Sequence, residues 1–184
     1  MLSKRLKIRR FESEDLADVH DYLSDDVVVK YEPYAVHTYD ESHRALEKMS
    51  YSVNFWAICL KETGQVIGQI YLSEQEQNSW ELGYVFNRKF QKQGYASEAV
   101  SILLDDVFIF RIAHRISAMC NPENENSWKL LERAGFRKEG HLLKNVYFNR
   151  AVNGDPLWQD TYLYGMLKND FIHNNYQNQG LSDF

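Results

Sequence analysis

Apolar and polar residues alternate from Leu6 through Ile8 to Arg10, a period of two that predicts a first strand. A helix is expected over residues 13–23, where Glu14 and Asp15 suit the positive end of a helix dipole. A second should open at Thr38-x-x-Glu41, a capping box, and run to Met49. The tyrosine-rich stretch 27–36 between them has no periodicity and reads as a loop over one end of the domain. Strand-like runs follow at 55–61, 66–72 and 80–86, the first two joined by the turn Glu62-Thr63-Gly64-Gln65, which makes an antiparallel meander.

The period then changes from 2 to 3.6. Ala96, Ala99, Val100, Leu103, Leu104, Val107 and Phe108 predict an amphipathic helix over 95–110. A short strand at 116–120, a short helix through Trp128 and Leu131 closed by Gly135, and two strands at 137–147 and 158–167 complete the pattern. Beyond Asn169 the chain is polar and is expected to be a mobile tail. The order β-α-α-β-β-β-α-β-α-β-β defines an α/β fold: one domain over 1–168, a mixed, mostly antiparallel sheet with helices on both faces, and a tail at 169–184.

Composition narrows the function. With 184 residues and 44% apolar content the chain can build one sizeable core. A formal net charge of −5 argues against a direct nucleic-acid partner, which needs a basic face, and agrees with a cationic substrate such as an amine. Cys59 and Cys120 lie far apart in strand-like runs and read as buried, reduced thiols. The six histidines show no ligand spacing, so no metal is expected. The basic N-terminus is followed by no apolar segment resembling a signal peptide, and no run is long enough to span a bilayer; the expectation is a cytoplasmic protein without a membrane partner.

Candidate chemistry concentrates between residues 80 and 96. Trp80-Glu81-Leu82-Gly83-Tyr84-Val85-Phe86 reads as a strand, Gln91-Lys92-Gln93-Gly94-Tyr95-Ala96 as a turn, and a helix starts there. A helix N-terminus offers unpaired N–H groups and a partial positive charge, so it can hold a phosphate without a cationic side chain. Neither Gly-Lys-Ser/Thr nor Gly-x-Gly-x-x-Gly occurs here, so a P-loop and a dinucleotide fold are unsupported.

Gln91-x-x-Gly94-x-Ala96 resembles the (Arg/Gln)-x-x-Gly-x-(Gly/Ala) signature of the GCN5-related N-acetyltransferase superfamily. Downstream, Asn124-x-x-Ser127 followed by Leu130-Leu131-Glu132-Arg133-Ala134-Gly135-Phe136 resembles its second signature. The likeness covers residues 11–167 and is nearest to the branch of ribosomal-protein alanine acetyltransferases, in which homodimers are common.

The resemblance implies an enzyme that moves acetyl from acetyl-CoA to a primary amine on a peptide or a small molecule. Backbone N–H groups of Gln91, Lys92, Gln93, Gly94, Tyr95 and Ala96 would hold the pyrophosphate. Strands 80–86 and 115–120 would splay, so that Tyr84, Val85 and Phe86 pair with the pantetheine arm, one N–H near Val85 or Phe86 holding the acetyl carbonyl. Asn124 would bond the cofactor near its thiol end or cap the following helix. The tyrosine that many members use as acid is replaced by Leu131, which leaves Ser127 as the acid of the alanine branch. Glu81, sharing a strand face with Gly83 and Val85, is the candidate base. Tyr31, Tyr34 and Tyr147 are candidates for the acceptor wall. Two other functions remain open: acetylation of a polyamine or antibiotic, and a coenzyme A-binding sensor without catalysis.

Overall fold

Seven strands join in one sheet in the order β1-β2-β3-β4-β5-β7-β6. In the computed structural model, which describes residues 1–178, β1 (Leu6–Arg9), β2 (Phe55–Leu60), β3 (Val66–Gln75) and β4 (Ser79–Phe86) pair antiparallel in sequence. β5 (Arg115–Cys120) runs parallel to β4, and β7 (Pro156–Leu167) and β6 (Arg137–Arg150) close the far side antiparallel. The single parallel pair needs a crossover, supplied by α4 (Tyr95–Asp105). The other helices are α1 (Leu16–Leu23), α2 (Asp26–Val29), α3 (Tyr39–Tyr51), α5 (Glu125–Arg133) and α6 (Lys168–Asn178). This is the expected α/β architecture, a mixed and mostly antiparallel sheet.

Strand alternation divides the core in two. Ile67, Leu72, Leu82 and Phe86 face α4 and α5, whereas Ala57, Cys59, Val66 and Val85 face α1 and α3. An 11-residue helix such as α4 is marginal alone. Ala99, Val100, Leu103 and Leu104 bury its inner stripe, and each fully buried Val or Leu contributes about 1.5–3 kcal/mol. Packing therefore holds the helix whose first turn matters for function.

Several boundaries differ from the pattern-based expectation. The helix expected over 13–23 begins as a 3₁₀ turn, Ser13–Asp15, because Asp15 bonds back to the Glu12 N–H and to Arg9. The loop expected at 27–36 contains part of α2, capped by Asp25. The helix expected over 95–110 narrows to α4 and then widens into π-type turns at Asp106–Phe110. Residues 169–178 are not a mobile tail: they continue as α6, whose Phe171 is buried and stacks on Phe108 with ring centroids 5.0 Å apart. One apolar anchor in a polar stretch was too weak a periodic signal to predict it. Residues 179–184 lie outside the described residues.

The decisive departure from regularity is between β4 and β5. Their pairing stops at Leu82↔Ala118, while β4 stays paired with β3 through Phe86 and β5 stays paired with β7 through Cys120. From Gly83 to Phe86 the β4 backbone therefore has a neighbour on one side alone. Gly68 fixes this edge from behind. It faces Phe86, and a Cβ there would overlap the Val85 carbonyl oxygen and lie 3.1 Å from Phe86 Cα. Gly68→Ala is expected to lose about 1–3 kcal/mol in denaturant unfolding, because backbone offers no flexible end to yield.

Candidate active site

The free edge of β4 leads into a turn that is wired from below. Asn87, buried, bonds Asp21 through Nδ2 at 2.8 Å and accepts the Lys89 N–H, while Lys89 pairs with Asp21. Gln91 Nε2 donates to the Phe86 carbonyl at 2.9 Å, so this side chain joins strand to turn and is not itself aimed at an anion. Gly94 has φ +82°, a left-handed conformation that costs a glycine little. Lys92, also left-handed at +59°, is exposed.

The first backbone bond into α4 is Glu98 N–H to Gly94 O. Among the described residues, the N–H groups of Lys92, Gln93, Gly94, Tyr95 and Ala96 have no acceptor, and they cluster at the positive end of the helix. Arg5 braces the turn from the β1 side. Its Nη1 donates to Gln93 O at 3.0 Å, its Nε pairs with Glu98 at 2.7 Å, and its guanidinium lies 4.3 Å from the Tyr95 ring centroid. Glu98 also accepts from Ser3 and from the Arg5 N–H, which makes it a structural anchor for the N-terminal segment. The paired arginine and hydroxyl hold its carboxyl below the usual range against an opposing effect of burial.

Across the gap stands the first turn of α5. Asn124 caps this helix, accepting the Ser127 N–H at 3.3 Å, and its amide nitrogen has no partner among the described residues. Ser127 is half-buried, and its Oγ and carbonyl O each lie 3.1 Å from Tyr84 Oη. Burial pushes the Tyr84 phenol well above its ordinary value, so it remains a neutral donor. The Cys120 thiol belongs to the same cluster; burial pushes it up to about 11, with Ser127 opposing as a hydrogen-bond partner. Leu131 is 1% exposed and fills the core behind this site, where it can move no proton.

The opposite face of β4 presents different groups. Glu81 is half-buried beside Ser73 and Ser117, next to the point where pairing stops, and no cation pairs with it among the described residues. Val85 shares its core cluster with Tyr22, and Tyr34 packs against that cluster. Tyr31 reaches across to donate to the Glu123 carbonyl at 3.3 Å. A cavity of about 370 Å³ opens there, lined by Lys30, Tyr31, Asn121, Glu123, Trp158 and Asp160. Tyr147 does not line it. It stands edge-on to Trp158, with ring centroids 5.2 Å apart, and accepts from Arg150, while Trp158 is the aromatic residue of that hairpin that lines the cavity.

Residues 5–137 match the family model for the acetyltransferase (GNAT) domain, more than half of the chain. The chain is a GNAT acetyltransferase. It is 33% identical over 171 residues to the uncharacterized N-acetyltransferase YnaD of Bacillus subtilis, covering 92% of this chain and 97% of that protein. The crystal structure of a GNAT-family acetyltransferase from Bacillus anthracis superposes with a TM-score of 0.82 at 33% identity, covering 92% of this chain and 98% of that one. The alanine-acetyltransferase branch is represented at shorter range. The [ribosomal protein uS5]-alanine N-acetyltransferase of Escherichia coli is 31% identical over 90 residues, which is 49% of this chain and 43% of that protein.

This GNAT enzyme is thus an acyl-CoA-dependent N-acyltransferase with a gap between two strands and different chemistry on each side of it. Ser127, Tyr84 and Asn124 lie on the α5 side, Glu81 and Tyr34 on the α1 side, and the orphaned N–H groups of the turn at one end. Motif reading singled out the turn, Asn124 and Ser127, which the fold brings around this gap. It did not use the Tyr84 hydroxyl beside Ser127, or Arg5, which belongs to no motif. The charge of Arg5 among alternating basic residues was visible, but its destination 88 residues away was not.

Proposed function

We propose that this enzyme transfers acetyl from acetyl-CoA to a primary amine, a protein N-terminus or a similar amine, by direct attack in a ternary complex. The observation that carries the reading is the one-sided edge of β4, Gly83 to Phe86, ending at the orphaned N–H groups of α4. An extended chain with amide groups can pair with such an edge, and a pyrophosphate suits the turn beyond it, so the residues fit coenzyme A. Bound there, acetyl-CoA supplies the thioester whose carbonyl carbon accepts the amine.

The N–H groups of residues 92–96 hold the phosphates; the Gln91 N–H, expected to join them, is taken by the Arg88 carbonyl, and its side chain acts through the Phe86 carbonyl. The backbone at Tyr84, Val85 and Phe86 holds the pantetheine arm, and the N–H at Val85 or Phe86 receives the acetyl oxygen as charge develops on it. Asn124, with its free amide nitrogen, bonds the arm near its thiol end. Glu81, through water, would take the first proton from the ammonium and free the attacking amine. Ser127 would give its proton to the departing sulfur and recover one from the nitrogen, made acidic by the new C–N bond, so that amide, thiol and one proton on Glu81 result. A route through Cys120 is disfavoured, since a thiol pushed up to about 11 holds almost no thiolate at neutral pH.

Thiol release from acetyl-CoA, measured with an alanine-initiated peptide, spermidine and kanamycin, tests the reading. At least one amine is expected to give turnover, and the panel separates a peptide acceptor from a small amine. Acetyl-CoA binding in a thermal-shift assay without thiol release from any of them would overturn it in favour of a coenzyme A sensor. For the base, Glu81→Gln is expected to lower kcat about 100-fold and to leave the amine KM near wild type. An unchanged kcat and pH profile would move the base elsewhere.

A further inference from the structure

We propose that Glu32, with Tyr34 beside it, receives the positively charged ammonium of the acceptor and makes this enzyme selective for cationic amines. The inference rests on the acetyl-transfer reading and names the charge of its acceptor. It begins with an imbalance. Asp15, Asp21 and Asp25 around α1 and α2 each have a cation, respectively Arg9, Lys89 and Arg88. Glu32, half-buried in the loop that follows α2, pairs with none among the described residues. Its neighbour Tyr34 carries a second unmet group: Oη is buried and has no hydrogen-bond partner among the described residues.

The place of this pair is the second observation. The Tyr34 ring packs against the cluster that contains Val85, the strand residue at the reacting end of the proposed thioester site. Two residues earlier in sequence than Glu32, Lys30 pairs with Glu123 at 3.9 Å and with Tyr31 Oη at 3.0 Å, and Tyr31 bonds the Glu123 carbonyl. The loop therefore reaches from the α1 face to the β5–α5 connection through Lys30 and Tyr31, and Glu32 and Tyr34 follow directly in the same loop. The charged and titratable groups around them are Lys30 and Tyr31 in the loop, Tyr22 of α1, His37 before α3, and Glu123 across the gap. Lys30, the nearest cation in sequence, is engaged away from Glu32.

An unpaired carboxylate taken from water raises the free energy of the folded protein. An arriving ammonium offsets that cost, so part of the strain becomes affinity for the charged amine. Tyr34 Oη gains its missing partner in the same event, accepting one ammonium N–H. A neutral group of the same shape would gain neither contact.

Enclosure pushes Glu32 up to about 7, by desolvation alone. The acid is uncharged below that pH and carboxylate above it. The amine KM is therefore expected to fall as pH rises through 7.

The experiment compares wild type with Glu32→Gln and Tyr34→Phe. With the best amine of the panel, Glu32→Gln is expected to raise the amine KM about 30-fold, the low end for losing one member of a desolvated charge pair. The fall of KM through pH 7 is expected to vanish, with kcat and acetyl-CoA affinity little changed. Tyr34→Phe is expected to raise KM about fivefold. An amine KM and pH profile unchanged in Glu32→Gln would overturn the proposal.

A second arm needs no turnover. In protein saturated with coenzyme A and labelled with ¹³C-glutamate, the resonance absent from Glu32→Gln is expected to titrate near 7. Propylammonium is expected to shift that titration downward by about one unit, as an opposing charge does. A resonance indifferent to propylammonium refutes the ammonium site, whereas a thiol-release panel with no active amine refutes the acetyl-transfer reading instead.

Discussion

Ser127→Ala is expected to reduce kcat about 100-fold while leaving acetyl-CoA affinity near wild type, the low end of what a positioned general acid contributes. Ser127 is half-buried in the first turn of α5, at the end of the gap where β4 and β5 part, and its Oγ lies 3.1 Å from Tyr84 Oη. Tyr84 can donate to the Ser127 carbonyl, also 3.1 Å away, which leaves the serine proton for the departing sulfur. A thiol leaves with a pKa of about 8.5, so a neutral hydroxyl is a sufficient donor. The low end of the range is expected because the α5 N-terminus survives the mutation and still stabilises negative charge on sulfur. Tyr84→Phe keeps the ring and the serine and is expected to cost about fivefold, the worth of one hydrogen bond. Single-turnover acetyl transfer, with coenzyme A affinity measured separately, distinguishes chemistry from binding. A Ser127→Ala enzyme with wild-type single-turnover rate would remove serine from the mechanism, and Leu131, 1% exposed in the core, could not replace it.

The largest stability effect is expected far from the gap, at Asp15→Asn. Arg9 Nη1 and Nη2 meet the two Asp15 oxygens at 2.7 Å each, and Asp15 also accepts the Glu12 N–H at 2.8 Å. The side chains are 17% and 6% exposed, so the pair is little screened by solvent. Asparagine keeps the shape and one acceptor oxygen but leaves the half-buried guanidinium with Glu12, 3.9 Å away, as its carboxylate partner, so the expected loss is about 3 kcal/mol, the low end for breaking such a pair. For a chain of this size that corresponds to about 10 °C in Tm. The double replacement Arg9→Met with Asp15→Leu is expected to recover most of the loss, because two apolar groups need no partner. If Asp15→Asn unfolds at the wild-type denaturant concentration, the pair is not what fastens β1 to α1. The consequence reaches function, since α1 and α2 carry the loop that holds Glu32 and Tyr34.

These two sites differ in how far the chain sequence foretold them. Ser127 was legible because it stands three residues after Asn124 and nine before Phe136, a spacing set by one helix and its closing turn. Arg9 and Asp15 were assigned to a strand and to a helix dipole separately. Their bidentate contact depends on the turn between them, Ser13–Asp15, being 3₁₀ and not α. Tyr147 was expected from its aromatic character alone; its edge contact with Trp158, ring centroids 5.2 Å apart, is a packing outcome that periodicity does not encode.

Local chemistry determined the most durable features: strands with period two, an α4 stripe with period 3.6, a glycine where φ must be +82°, and helix N-termini with orphaned donors. Each follows from residues within a turn or two of one another. The tertiary structure decided what those features meet. It ended the β4–β5 pairing at Leu82↔Ala118, brought Tyr84 Oη to Ser127 and Arg5 to the Gly94 turn, and left Glu32 without a cation among the described residues. Those are contacts between residues tens of positions apart, or the lack of one. They arise from the balance of packing and desolvation over the whole core, which no local pattern carries.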